Sequence, residues 1–361
     1  MNKTPFDPSE TVSTLTYPAL FPNSPAAIKY NTPIPPKENY RALFNRQMPM
    51  WIPVPGDRMM FIPRIDPDNI ARAIVMEANP LAPEERGGKD RHGIDWVYVP
   101  VAGGSMVKPG NPLLDDANDW EKLLKFPDLD SWDWSASIAA NKHLFENEDR
   151  AVYTWILSGF FERLISVMDF ENAAVALIDE SQKDAVKALF DRLADLYIDM
   201  IGRFKKAYNP MFLCLHDDWG SQRAPFFSLD TVMEMIVPAL SRVIDAVHAG
   251  GMFFDMHSCG KNELLVPAYI EAGCDSWNGQ SMNDKDMLYQ KYGDKLIMEL
   301  NPDITFTPET TDAEAVAAAK RFVARYGPTI EGKPFLCASM GAPPAFSETI
   351  YEESRKLFYS M

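Results

Sequence analysis

Apolar residues recur at two different periods along this chain, and the pattern becomes regular near residue 150. Beyond that point, short runs rich in β-branched and aromatic residues alternate with longer stretches whose apolar positions repeat every three to four residues. AVYTWILSG, MFLCLHD, FFDMHSC, CDSWN, KLIMEL and PFLCAS read as strands. The stretches between and after them carry the helical repeat, from FFERLISVMDF and SQKDAVKALFDRLADLYIDMIGRFKKA to SETIYEESRKLFYS. LDTVMEMIVPALSRVIDAVHAGG reads as one helix closed by glycines at its C-terminal end. Six strand–helix units result. Two further strand candidates, near Trp51 and Trp96, bring the count to eight. Strands alternating with helices imply a parallel sheet, and eight units imply an α/β fold of the closed (β/α)8 TIM-barrel type. A doubly wound open sheet is the other arrangement, but no GxGxxG follows the first strand, which weakens its dinucleotide-binding form.

Ahead of residue 50 the periodicity dissolves. Residues 1–50 are proline-rich (TYPALFPNSPAAIKYNTPIPPKENY) and predict an irregular N-terminal extension. Proline interrupts both helix interiors and sheet ladders, so this arm, with a short helix near Asn39–Gln47, is expected to wrap a body formed by residues 51–361. LLDDANDWEKLLKFPDLDSWDW predicts a short acidic helix and a turn, its carboxylates forming a solvated face.

Composition narrows the function classes. With 361 residues, 46% of them apolar and 12% aromatic, the chain can fill one large barrel or two ordinary domains. A formal charge of −16 and a pI near 4.8 argue against nucleic acid and against an anionic membrane surface. MNKTPFDPSETVSTLTYP has no apolar core of a signal peptide, and no apolar run approaches the length of a spanning helix, so a cytoplasmic protein is expected. Four cysteines, Cys214, Cys259, Cys274 and Cys337, are too few for a disulfide framework.

Barrels of this kind place their chemistry at the C-terminal ends of the strands. Those ends carry Thr154 and Ser158, His216-Asp217-Asp218, His257 and Cys259, Asn278 and Gln280, Glu299 and Asn301, and Cys337. His257 and Cys259, two positions apart on a strand, share a face, and Cys337 comes from another strand end. Imidazole and thiolate suit zinc, and three protein ligands leave one coordination position open, as in catalytic zinc sites. Taken alone, the same residues would read as buried free cysteines and a hydrogen-bonded histidine. Asp217 and Asp218 beside His216 could orient substrate, hold a ligand histidine through its second nitrogen, or act as an acid–base pair. They could also cap a following helix, although Asp230 is the better placed N-cap. Trp219, Asn278, Gln280 and Glu299 complete the rim as candidate substrate contacts. Cys214 and Cys274 read as small buried hydrophobes, and His248 as a last-turn complement to a helix dipole. His92 and His143 suggest no role.

The segments HDDWGSQ, a helix with Pro238, His248 and Gly250, then HSCG, IEAGCDSWNGQ and YGDKL together resemble the uroporphyrinogen decarboxylase-like superfamily, over roughly residues 90–361. The His-x-Cys pair with a distant cysteine is similar to its branch of cobamide-dependent methyltransferases. That resemblance implies a single barrel domain over 51–361 and a catalytic Zn2+ on His257, Cys259 and Cys337. It also implies methyl transfer between a small methylated substrate and a corrinoid (cobalamin) carried on a partner protein. Uroporphyrinogen decarboxylases themselves are metal-free and hold their substrate with an arginine-rich RQAGR segment. Here the nearest stretch, Arg46-Gln47-Met48-Pro49-Met50, lacks the second arginine. Aromatic residues near the rim and its cover, among them Trp51, Trp96, Trp155, Phe161, Phe226 and Trp277, favour a methoxylated aromatic and hence O-demethylation. A methylcobamide:thiol methyltransferase and a metal-free decarboxylase using Asp217 or Asp218 are the alternatives.

Overall fold

The computed structural model describes residues 4–17 and 26–361; 1–3 and 18–25 of the proline-rich arm lie outside the described residues. Seven strands form the main sheet: β1 (Arg58–Phe61), β2 (Ala151–Ile156), β3 (Phe212–His216), β4 (Phe253–Ser258), β5 (Ser276–Gly279), β6 (Ile297–Leu300) and β7 (Phe335–Cys337). Their hydrogen-bonded order is β7-β6-β5-β4-β3-β2-β1. Pairing is parallel in β2–β3, β3–β4, β5–β6 and β6–β7, with helices in the intervening chain. The fold is thus mixed α/β and built on sequence-adjacent parallel strands, as the alternation predicted.

The eight-unit count needs correction. The strand containing Trp96, Asp95–Val99, belongs to a separate three-stranded antiparallel sheet with Gly88–Lys89 and Gly104–Val107. Only a tight turn through left-handed Gly103 (φ 67°) joins Asp95–Val99 to Gly104–Val107, and so short a link permits a hairpin but not a parallel crossover. The candidate at Trp51 also moves. Pro53 and Pro55 lack N–H donors, and the strand starts at Arg58, once they are passed. The single helix expected over 229–249 is two, Leu229–Met235 and Val237–Ala249, the second carrying Pro238 in its first turn.

Contacts divide the chain into two units. The first comprises the chain through Met60, Asp149–Val152 and Asp275–Met361. Its core gathers Trp51, Ile52, Ile297, Met298, Leu300, Phe335, Phe346, Ile350 and Tyr351, all essentially without solvent exposure. The early segment Pro8–Glu10 is tied to the last helix, Pro344–Ser360. Tyr351 Oη (2.6 Å) and Arg355 Nε (2.9 Å) donate to one Glu10 oxygen, and Arg355 Nη2 (2.8 Å) to the other.

The second unit comprises Phe61–Glu148 and Tyr153–Cys274. β3 is buried at its first four positions, the continuous apolar run of a strand covered on both faces. The helices Phe160–Ala176, Lys183–Tyr208 and Val237–Ala249 belong to this unit, the second packing against both of the others. Cys214 and Cys274 are buried here, as expected of small hydrophobes. A fully buried ionic network joins Arg91 to Asp66 and Asp68, and Arg163 to Asp68 and Asp90. Asp90 also accepts from the Trp96 indole (3.0 Å), fixing the antiparallel sheet to this core. Among the described residues no helix is long and apolar enough to cross a membrane.

Candidate metal centre

β3 and β4 are adjacent and in register, with His216 opposite His257 at their C-terminal ends. Parallel pairing therefore sets two imidazoles side by side; their rings stack at 5.0 Å between centroids and 14° between planes. Two residues beyond each histidine, the chain supplies Asp218 and Cys259. Ligand atoms of His216, Asp218, His257 and Cys259 all lie within 4.8 Å of one another. Cys259 Sγ is 3.5 Å from His257 Nε2, and His216 Nε2 is 3.4 Å from Asp218 Oδ1. Ligands at about 2.0–2.3 Å from a tetrahedral zinc stand roughly 3.3–3.7 Å apart, so the Cys259–His257 and His216–Asp218 spacings each fit a pair of zinc ligands.

The loops behind the donors are held firmly. The Cys259 amide donates to Asp218 Oδ1 (2.6 Å), linking the ends of the two strands. Asn262 Nδ2 donates to the Cys259 carbonyl (2.7 Å) and to Ser258 Oγ (2.8 Å). Gly260, at φ +94°, follows the cysteine, and a Cβ there would lie 2.2 Å from the Gly220 carbonyl oxygen. Only glycine allows that turn to close.

His216 has a second partner that the sequence reading did not identify. Its Nδ1 lies 2.8 Å from Glu162 Oε2, and Arg72 holds the same carboxylate through Nη1 (3.0 Å) and Nη2 (3.3 Å). A carboxylate on one imidazole nitrogen fixes the ring and turns the other nitrogen to the site. Glu162 stands in the first turn of Phe160–Ala176, where an acid is the ordinary complement to the helix dipole. Nothing in the linear pattern set it apart.

Charges are strongly perturbed. Burial alone would depress the His216 imidazole, but the Glu162 carboxylate overrides it and lifts it to about 10. Glu162, buried yet facing Arg72 and His216, is held down at about 2. Burial raises the Cys259 thiol, and the Asp218 carboxylate adds to that rise. Burial also raises Asp218 itself, and Glu162 adds to it, against the pull of His216. A divalent cation reverses the burden on such a set, displacing the thiol proton and neutralising the carboxylate.

The other predicted residues fall into two groups. Asp217 is wholly buried and accepts from the amides of Phe160 (2.9 Å), Phe161 (3.1 Å) and Glu162 (2.8 Å), and from the Trp219 indole (2.8 Å). It caps a helix, though the preceding one; the Leu229–Met235 helix is capped by Ser228 rather than Asp230. Trp219 is fully buried against Tyr269. Asn278 on β5, Gln280 just after it, Glu299 on β6 and Cys337 at the end of β7 all belong to the first unit. There Leu300 pairs with Cys337 in register, and burial pushes the Cys337 thiol well up, with Glu299 adding to it. Within the second unit Trp155 is an aromatic residue beside the donors, its ring 5.6 Å from that of His257.

No family model matches the sequence, and no curated protein matches it either. Solved structures do. A methyltransferase from Methanosarcina mazei superposes with a TM-score of 0.61 at 14% identity, covering 90% of this chain and 99% of that one. A zinc-bound IolI protein (TM-score 0.30, 13% identity, 64% of this chain and 81% of that one) is too distant in shape to carry an argument. So is a sugar phosphate isomerase/epimerase from Parabacteroides distasonis (TM-score 0.31, 9% identity, 59% and 79%). At the level of fold, this chain is similar to a methyltransferase over nearly its whole length.

Proposed function

We propose that this chain is a zinc-dependent methyltransferase that moves a methyl group between a small methylated compound and a corrinoid carried by a partner protein. The observation that carries the reading is the pairing of His257 and Cys259 at zinc-ligand spacing, beside His216 and Asp218, at the ends of adjacent parallel strands. The likeness in fold to a methyltransferase supports it.

In this reading His257 and Cys259 are ligands. Bound there, zinc supplies Lewis acidity toward an ether oxygen whose methyl group leaves, or holds a thiol as thiolate to receive one. His216, pinned through Nδ1 by Glu162, presents Nε2 together with Asp218 to pass a proton to or from the reacting heteroatom. Trp155 offers a flat wall next to His257, which favours the methoxylated aromatic, and so O-demethylation, over the thiol. Asp217 acts on the site only through the helix start that presents Glu162.

The test has two parts. Zinc content is expected at about one per chain and is lost in His257→Ala and Cys259→Ala; full retention in both would sink the proposal. The same measurement on Cys337→Ala and Asp218→Ala decides whether Cys337, the third ligand implied by the family resemblance, or Asp218 completes the set. Zinc-loaded protein is then mixed with cob(I)alamin and a panel of methoxylated aromatics and methyl thioethers, following the cobalt spectrum. Methylation from the ethers is expected; methylation from thioethers alone selects the thiol reaction.

A further inference from the structure

The first unit contains a cavity of about 320 Å³. The last helix, Pro344–Ser360, lines it with Arg355, Phe358 and Tyr359, which at spacings of three and four share one helix face. Met48 and Met50 come from the segment Arg46-Gln47-Met48-Pro49-Met50, which has no part in the metal centre, and Thr4 from the N-terminal arm. This wall is preformed. Arg46 makes a left-handed turn (φ 55°) after the helix Pro36–Phe44, and the Gln47 amide donates to the Ala42 carbonyl (2.8 Å). The fully buried Asn39 then grips the chain around Met50: its Oδ1 accepts from the Met50 amide (2.7 Å), and its Nδ2 donates to the Trp51 carbonyl (2.9 Å). A ligand here therefore orders little that is not ordered already.

The lining is apolar around a charge that is already matched. Arg355, 1% exposed, is its charged member. Glu10 accepts from Nε and Nη2, the Thr4 carbonyl from Nη1 (3.1 Å), and the Pro5 carbonyl from Nη2 (3.2 Å). With each nitrogen engaged and the charge balanced by Glu10, the lining offers an ion no uncompensated partner. Met48, Met50 and Phe358 instead present thioethers and a ring, the surroundings an aromatic molecule favours. An apolar cavity of about 150 Å³ accepts benzene, so one of about 320 Å³ admits two fused rings.

We infer that this cavity is a binding site for a small neutral aromatic compound of the size of indole or naphthalene. The rings lie against Met48, Met50 and Phe358, while Gln47 and Tyr359, both exposed, meet a polar edge. So bound, the compound touches the arm, the segment around Met48 and the last helix together. The site stands whether or not the chain binds zinc, because every residue that lines it belongs to the first unit and none is a candidate ligand.

Nuclear magnetic resonance of chelator-treated, full-length protein, isotopically labelled at its methionine methyls, tests the inference. Met48→Leu and Met50→Leu assign the two signals. Indole is expected to shift both along one saturating curve, and the naphthoate anion to bind at least about tenfold more weakly. Met48→Trp places a ring in the cavity and should weaken indole about tenfold or more, read at the Met50 methyl. Ile138→Glu, on an exposed helix face of the second unit, is the control and keeps wild-type binding. Three results would each overturn the site: shifts at other methionines but at neither of these two, naphthoate binding as tightly as indole, or wild-type affinity in a folded Met48→Trp. Should that variant fail to fold, the methyl shifts and the naphthoate comparison in the wild-type protein give the answer.

Discussion

Replacing Asp217 by alanine should unfold the second unit's helix start rather than remove an acid or base. The wild-type carboxylate is wholly buried and receives four donors: three consecutive amides that open the Phe160–Ala176 helix, and the Trp219 indole. The first amides of a helix have no partner within it, so the alanine variant leaves all four donors buried and unpaired. Each such donor costs about 1–3 kcal/mol, and taking the low end for partial relaxation gives a loss of about 4 kcal/mol. That is a large share of the roughly 5–15 kcal/mol that holds a domain folded. Asp217→Asn keeps one acceptor oxygen in nearly the same place and should lose about half as much. Urea titration is the assay, comparing midpoints at unchanged slope. Asp218→Ala serves as reference, because Asp218 is partly exposed and accepts one backbone amide, that of Cys259. If Asp217→Ala unfolds within about 1 kcal/mol of the wild type, the capping argument is wrong and the carboxylate is free for chemistry.

Two further outcomes follow, one at each unit's buried carboxylate. Glu162→Gln removes the charge that pins His216 and should slow methyl transfer by about tenfold or more while zinc content stays intact; loss of zinc would instead make His216 a ligand. Glu10→Gln breaks the buried pair with Arg355 and should cost about 2–4 kcal/mol at neutral pH. The Glu10 carboxyl is desolvated, but Arg355 and Tyr351 more than offset this and hold it below its ordinary value. Its stabilisation is therefore full above the usual glutamate range and fades as pH falls through the folded value. Melting temperatures of the two proteins should converge in acid, and a gap independent of pH would refute the assignment.

The strand–helix rhythm after residue 150 was legible because both periods are strong there, and β2 to β7 lie where the apolar runs stand. Where tertiary context decided, the pattern misled. The Trp96 run has good strand composition, but only the short return through Gly103 makes it antiparallel. The helix Trp134–Phe145 went unpredicted, since its alanines and serines carry little amphipathic contrast. At the site, His257 and Cys259 declared themselves by spacing alone. That His216 would join them depends on register between β3 and β4, which no local pattern encodes. Glu162 lies 54 residues from the histidine it orients, and only the folded chain brings them together.

The tie between Glu10 and Arg355 also sets a timetable for synthesis. The partners are 345 residues apart, so at about 5–20 residues per second the early segment waits roughly 20–70 s for its anchor to be made. The second unit, whose residues end at Cys274, is complete well before that. A nascent chain thus carries Trp51, Ile52 and their neighbours without their final packing partners until the last helix leaves the ribosome. That interval is when this protein most needs a chaperone, and when a stop near its end would leave the first unit without its closing helix.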